Sequence, residues 1–404
     1  MSETVEFGAY VLAASGVVLL AIGASKLTRR LPIPAPAFFL LGAAVVGATL
    51  PVTDHLSILA VERIGIVALI VILFDGGMEI GWRSFRAAAA PITALGVVGT
   101  FATAAAMAAL AHLLFGFPWI QAWLLGAALA PTDPAVMFAV LGNREVEGRS
   151  GTILKGEAGA NDPVGIALML GLIALAGDPA GSPWTVVEEF ARQMGIGLAI
   201  GLIGGYALTA ALQRVSLHDP SLYSLLTLAG SGVVFGAADL ARGSGFLAVF
   251  IAGMLVGDAR APHMVEIERF HGVLASLGEI VVFTALGATV SLAHFGSGDL
   301  WLQALALAAL LALVVRPLAV APLLAPARLR WGERLFVMWG GLKGAVPILL
   351  AAFALVAGVE GATQIYGVVF VVVALSVIVQ GATMPAAARR LGVPMRLREE
   401  GSRE

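Results

Sequence analysis

Residues 156–177 read GEAGANDPVGIALMLGLIALAG, and how this stretch is read decides the fold. Asn161 and Asp162 stand side by side in an otherwise apolar run, with Glu157 five positions before the aspartate. Such a segment is either a soluble core helix with an odd polar patch or a membrane helix with an ion site in it. Composition separates the two. Of 404 residues, 59% are hydrophobic and 12% charged, whereas a soluble domain carries roughly 25% charged residues. Mean hydropathy is +0.95. The 49 glycines fit helices that approach closely in lipid. Apolar runs of about 20 residues, enough to cross the hydrocarbon core as helix, recur along the chain. The sequence describes an all-α polytopic membrane protein.

The pattern predicts about thirteen transmembrane helices, at about 7–25, 35–51, 57–81, 88–115, 118–142, 152–177, 184–213, 220–240, 243–257, 269–291, 300–325, 333–358 and 363–388. The opening MSETVEFG is acidic and lacks the basic leader of a signal peptide. Lys26, Arg29 and Arg30 follow the first span instead, so it reads as a retained helix with its N-terminus outside. Loops after odd-numbered spans, with the tail, hold eighteen of the 24 basic residues. The positive-inside rule therefore places those loops and the C-terminus in the cytoplasm. Trp82, Trp119 and Trp184 at span ends read as interface anchors. The short basic stretch after Met384 predicts that no cytosolic domain is appended.

Several function classes drop out. No cysteine is present, which removes disulfides and thiol chemistry, and the six histidines show no metalloprotease spacing. No phosphate-binding loop appears, no cofactor is implied, and no nucleic-acid partner is expected. The chain is not expected to be an enzyme, because the spans contain no Ser/His pair, aspartyl dyad or metal triad.

Attention therefore falls on the ionisable residues deep in spans: Asp75, Asp133, Glu157, Asp162, Glu279, Arg316 and Lys343. Each costs ~2.5–3.5 kcal/mol on insertion scales if left unpaired in lipid. In the fifth span, LLGAALAPTDPAVMFAVLG, Pro131 and Pro134 bracket Thr132 and Asp133, so the helix breaks there. The twelfth, MWGGLKGAVPILLAAFALV, is interrupted by Gly340, Gly341, Gly344 and Pro347, with Lys343 at the break. Two broken helices about half the chain apart point to a secondary-transporter site. Opposite charges at the two breaks also compensate the half-helix dipoles.

In the sixth span Glu157 and Asn161 share a face, while Asp162 lies about 100° further round. Arg316, central in LALVVRPLAVAPLL, is the expected buried partner of Glu157. Asp162 is left as the free carboxylate. In a low-dielectric cavity it must be neutralised by a proton or a metal cation, and the two compete. Asp75, in VILFDGGMEIGW, either faces the ion path or pairs locally, and Glu279 is a weaker case of the same kind.

At these residues the chain resembles the monovalent cation:proton antiporter superfamily, in its NhaP/NHE-like branch. The motifs are APTDPAV, GEAGANDP, SGFLAVFIAGMLVGD, RPLAV and GGLKGAVP, in order over nearly the whole length. The resemblance implies an NhaA-like antiporter fold of inverted repeats with two interrupted, crossing helices. It implies one transmembrane domain over 1–388, with core helices at about 88–177 and 300–388 and dimerisation or scaffold helices in the remainder, then a short basic cytoplasmic tail at 389–404. It also implies a homodimer embedded in lipid of the inner or plasma membrane, elevator-type alternating access, and a role in pH homeostasis. Asp162 becomes the carrier of H⁺ and the monovalent cation, Thr132, Asp133 and Asn161 shape the site, and Glu157–Arg316 is a stabilising pair. Family members usually have arginine where Lys343 stands. The Asn-Asp-Pro form resembles potassium/proton, cell-volume-regulation relatives more than sodium exchangers, so Na⁺ and K⁺ both stay open.

A cation channel would need a selectivity filter of ligand rings, and no TVGYG-like segment is present. A sodium-coupled solute symporter would need a larger set of substrate-anchoring donors. With one exchangeable carboxylate, Asp162 carries either one H⁺ or one cation, so the expected exchange is electroneutral, 1:1.

Overall fold

The computed structural model describes residues 34–49, 57–133, 136, 137, 141, 144–178, 180–290 and 300–397, together with isolated positions of the first predicted span. The remainder of that span, Pro134, the loop residues Lys26, Arg29 and Arg30, and the tail from 398 lie outside the described residues. Among the described residues, and apart from the short helix Trp82–Ala87, the helices are α1 (Ala35–Thr49), α2 (Ile58–Ile80), α3 (Ala89–Phe115), α4 (Trp119–Leu129), α5 (Gly148–Gly177), α6 (Pro183–Arg214), α7 (Pro220–Leu240), α8 (Gly245–Gly257), α9 (Met264–Ala288), α10 (Leu300–Ala327), α11 (Trp331–Trp339), α12 (Ala345–Val356) and α13 (Ala362–Arg390). Seven of them are long and apolar enough to cross a membrane. The 23-residue α2 is also long enough but carries Glu62, Arg63, Asp75 and Glu79.

Local chemistry sets the ends. Ser57 and Ser244 accept hydrogen bonds from Ala60 N–H and Leu247 N–H, each at 3.2 Å, starting α2 and α8. Asp219 caps α7 ahead of Pro220, whose fixed φ and missing N–H suit a first helical position. Gly116, at φ 71°, closes α3 in the left-handed region. Three stretches are π-helical: Ala94–Gly99 in α3, Leu311–Val315 in α10 and Ser376–Gly381 in α13. Such bulges occur disproportionately at functional sites.

Two sets of helix contacts stand out, joined where α5 packs on α6. In one, α8 lies against α6 and α2, and α9 against α2 and α1. A small apolar cluster of Phe74, Met78, Leu208, Tyr223, Val234 and Val249 belongs wholly to this group. In the other, α3 packs on α4, α12 on α13, and α10 on α13, with α5 in contact with α4 and the π-helical part of α3. Between the groups, Leu349 of α12 reaches Gly65 of α2, and Tyr366 of α13 meets Thr289 after α9, oxygen to oxygen, at 2.7 Å.

A small two-stranded ribbon accompanies the helices. Arg144–Val146 (β1) pairs antiparallel with Met395–Leu397 (β2), with Glu145 opposite Arg396. The last helix runs on to Arg390, and the segment beyond it is tied back to the loop before α5. Three-residue strands rich in charge carry no periodicity, so pattern alone could not show them.

Gly197, Gly201 and Gly205 form a stripe at four-residue spacing along α6, facing the α8 segment at Ser244, Ala248 and Ala252. A Cβ on Gly201 would lie 2.7 Å from the Ala248 carbonyl oxygen, whereas Gly195 on the same helix faces open space. Gly201→Val is expected to lower stability by about 1–3 kcal/mol through overpacking, and Gly195→Val to have little effect. Thermal unfolding of the detergent-solubilised variants checks this; equal melting temperatures would refute the small-residue contact as the determinant of this helix pair.

Candidate functional site

The two interrupted helices cross at their breaks. α4 ends at Leu129; Pro131, Thr132 and Asp133 have no regular secondary structure, and Val136 and Met137 are helical. On the other side α11 ends at Trp339, and α12 begins at Ala345. Backbone groups freed in this way need partners at membrane depth, and each break supplies them to the other. Asp133 N–H donates to the Leu342 carbonyl at 2.8 Å. The Lys343 ammonium donates to the carbonyls of Ala130 and Pro131 at 3.0 and 2.9 Å, placing a cation at the negative end of α4. Asp133 lies directly on Gly344, so closely that a Cβ there would overlap the carboxyl group. It thereby puts an anion at the N-terminus of α12, where the dipole favours it.

Asn161 and Thr132 form the second part of the site. Asn161 Nδ2 donates to Thr132 Oγ1 at 2.8 Å, and Thr132 N–H donates to Asn161 Oδ1 at 3.3 Å. This clasp holds α5 against the non-helical segment that follows α4. Gly165 leaves room for the Pro131 ring, and the π-helical turn of α3 brings Gly96 against Ala160, with a Cβ position 2.7 Å from the Ala160 Cβ. Asp162, next on the helix, is 7% exposed, and its Oδ1 has no hydrogen-bond partner among the described residues. Asp133 and Lys343 are the charges within electrostatic reach of it.

Glu157, one turn before Asn161 on α5, pairs with α10. Its Oε1 accepts from Arg316 Nη1 at 2.5 Å, with both side chains buried. Arg316 Nη2 lies 3.5 Å from the Val337 carbonyl. The guanidinium passes so close to Gly341 that any side chain there would collide with it. The pair is single-pronged: Glu157 Oε2 and Arg316 Nε have no hydrogen-bond partner among the described residues. Asp75 stands in α2 opposite Gly272 of α9, whose Cβ position is 4.0 Å from Asp75 Oδ1. Glu279 of α9 lies within electrostatic reach of Asp75 and Asp133.

Sequence reasoning missed Ser376 and Gln380. The Lys343 N–H donates to Ser376 Oγ at 3.0 Å, and that hydroxyl donates to Gln380 Oε1 at 2.6 Å, inside the π-helical turn of α13. Two polar residues four apart in the apolar run SVIVQ were the available signal.

Residues 16–390 match the family described as the transmembrane sodium/hydrogen exchanger. The chain belongs to that family. It is 36% identical to the K⁺/H⁺ antiporter NhaP of Alkalimonas amylolytica over 82% of this chain and 58% of that one. It is 34% identical to the K⁺/H⁺ antiporter NhaP2 of Shewanella sp. strain MR-4, over 94% of this chain and 65% of that one. The chain thus spans under two thirds of the length of these relatives. A Na⁺/H⁺ antiporter, ApNhaP of Aphanothece halophytica, is 26% identical over 86% of this chain and 68% of its own. In fold, the chain is similar to the sodium proton antiporter MjNhaP1 of Methanocaldococcus jannaschii, with a TM-score of 0.82 over 94% of this chain and all of that one, at 22% identity. The architecture of this exchanger-family chain is therefore the all-α, multi-pass membrane antiporter fold.

Removing one member of a buried pair strands the other charge, at a cost of about 3–5 kcal/mol in soluble proteins. Glu157→Gln is therefore expected to lower the melting temperature in detergent more than Asp162→Asn does, since Asp162 Oδ1 loses no partner. The reverse order would mean that the roles of the two carboxylates are exchanged.

Proposed function

We propose that the protein is a secondary active antiporter that exchanges a monovalent cation, K⁺ or Na⁺, for H⁺, with Asp162 as the group that carries each in turn. The observation that carries this is a buried carboxylate oxygen with no hydrogen-bond partner among the described residues, placed where two interrupted helices cross and beside the Thr132–Asn161 clasp. An oxygen of this kind is stable in a low-dielectric site only when a proton or a cation occupies it. The remaining charges have other tasks. Lys343 and Asp133 compensate the half-helix ends, and Glu157 is held by Arg316. Thr132 and Asn161 offer neutral oxygens to a dehydrated cation, and Asp75 lies on the scaffold side of the path.

Transport then proceeds by binding at Asp162 from one face, movement of the core helices (about 88–177 and 300–388) against the scaffold helices, and release at the other face. The scaffold provides the homodimer interface, in a plasma or inner membrane, with the N-terminus outside and the C-terminus in the cytoplasm as the basic loops indicate. The names of the NhaP and NhaP2 relatives described above make K⁺ the first cation to test.

Because one carboxylate accepts one H⁺ or one monovalent cation, a cycle moves no net charge. Proteoliposomes with a trapped pH-sensitive dye test both statements. Addition of KCl or NaCl should drive proton flux in the wild type, and Asp162→Asn should abolish it while leaving a folded protein. Persistent exchange in that variant removes Asp162 from the mechanism. In the same vesicles an imposed membrane potential, set by K⁺/valinomycin for Na⁺ exchange or by a lipophilic ion for K⁺ exchange, should leave the end-point gradient unchanged. A gradient that follows the potential defeats the 1:1 stoichiometry.

A further inference from the structure

The β1–β2 ribbon, the end of α2 and the start of α5 surround a cleft of about 200 Å³, lined in part by Glu79, Glu145, Lys155 and Arg396. Lys155 is the centre of its charge chemistry. Its ammonium lies 3.3 Å from Glu79 Oε2, at the end of α2, and 3.1 Å from Glu145 Oε1, on β1. Arg396 on β2 lies 3.4 Å from the second oxygen of Glu145, and Glu147 N–H donates to the Pro394 carbonyl at 2.9 Å. The returning strand therefore holds Glu145 in place, and Glu145 holds Lys155.

The two carboxylates that share Lys155 belong to different helix groups. Glu145 and Lys155 lie on β1 and α5, both in the core that carries Asp162. Glu79 lies on α2, in the scaffold. Displacement of the core along the scaffold separates Lys155 from Glu79 and leaves Lys155 with Glu145. The cation thus keeps a counter-ion in both positions, and the contact to Glu79 distinguishes them.

We infer that Lys155 is a further positioning residue of the transport cycle, a state-selective ionic tie in which Glu145 is its permanent partner and Glu79 is engaged in one transport state only. The inference rests on the antiport reading above, with its moving core. The tie biases the conformational equilibrium without touching the transported ion. A contact made in only one of two states shifts their populations by its own free energy. The side chains of Lys155 and Glu79 are 21% and 40% exposed, so solvent screens the pair and the shift is small, about two- to fivefold in population. A small bias suits a carrier, because a tie that held one state a thousandfold would stall the cycle.

Two measurements on the full chain in proteoliposomes test this. Glu79→Gln is expected to change the apparent cation affinity about two- to fivefold, in opposite senses on the two membrane faces, because it depopulates one state in favour of the other. Raising the ionic strength to about 1 M should shrink the difference from wild type. A role limited to holding the fold together would not produce opposite shifts, and equal affinities in variant and wild type on both faces overturn the inference. The chain has no cysteine, so Glu79→Cys with Lys155→Cys introduces a single thiol pair. Bridging it with a short bifunctional methanethiosulfonate should reduce exchange at least tenfold, with recovery on reduction, while each single-cysteine variant keeps its own rate after the same treatment. Exchange that continues through a completed bridge overturns the tie alone. Wild-type vesicles that exchange neither K⁺ nor Na⁺ for H⁺ overturn the antiport reading instead.

Discussion

Everything in this structure depends on how two broken helices satisfy their own ends inside a membrane. A helix interrupted at mid-depth exposes carbonyls at one end and N–H groups at the other, with no water in the hydrocarbon to receive them. Here the two breaks are stacked. The Lys343 ammonium takes the Ala130 and Pro131 carbonyls, Asp133 N–H finds the Leu342 carbonyl, and the Asp133 carboxyl lies on Gly344 at the start of α12. Neither break is viable alone, because each provides the polar groups that the other lacks. The crossing therefore creates a polar volume in the middle of an apolar bundle, and Asp162 is placed at its edge.

Charge is distributed over this crossing with little redundancy. Glu157 and Asp162 lie on the same helix, less than two turns apart, and have opposite environments: one against Arg316 at 2.5 Å, the other with an oxygen that lacks a hydrogen-bond partner among the described residues. Arg316 reaches Glu157 only because Gly341 has no side chain, and Asp133 reaches its place only because Gly344 has none. The glycines of the twelfth span thus serve two purposes, interrupting the helix and admitting charged groups from neighbouring helices. π-Helical turns act at the same level. The one in α3 lies against Ala160, beside the Thr132–Asn161 clasp, the one in α10 directly precedes Arg316, and the one in α13 presents Ser376 to the Lys343 N–H. In each case the bulge re-aims a segment that an unbroken α-helix would have turned elsewhere.

Where the site meets the rest of the protein, the contacts differ in strength. Contacts along α6 and α8 are close, down to glycine against backbone. Contacts between the groups are of both kinds: Leu349 lies on Gly65 and Phe250 on Gly159, while Tyr366 meets Thr289 and Lys155 meets Glu79. The part-exposed ionic pair among them can exchange its protein partners for water at low cost.

Composition and hydrophobic run length were sufficient to establish a polytopic helical membrane protein, since each measures the cost of placing a residue in lipid and needs no knowledge of its neighbours. The breaks at Pro131 and Gly344 and the isolation of Asp162 in an apolar run were legible for the same reason: a proline or a carboxylate in hydrocarbon is anomalous by itself. Among the partnerships, the expected Glu157–Arg316 pair is present, while the others were not legible in the same way. Lys343 could be assigned to a helix break from sequence, but its two carbonyl acceptors are residues of the other half of the chain. Ser376 and Gln380, the β1–β2 ribbon, and the sharing of Lys155 between Glu79 and Glu145 depend on segments brought together from across the chain. A transfer cost belongs to one residue and can be read from it, while a contact belongs to two and comes into being only when the chain has packed.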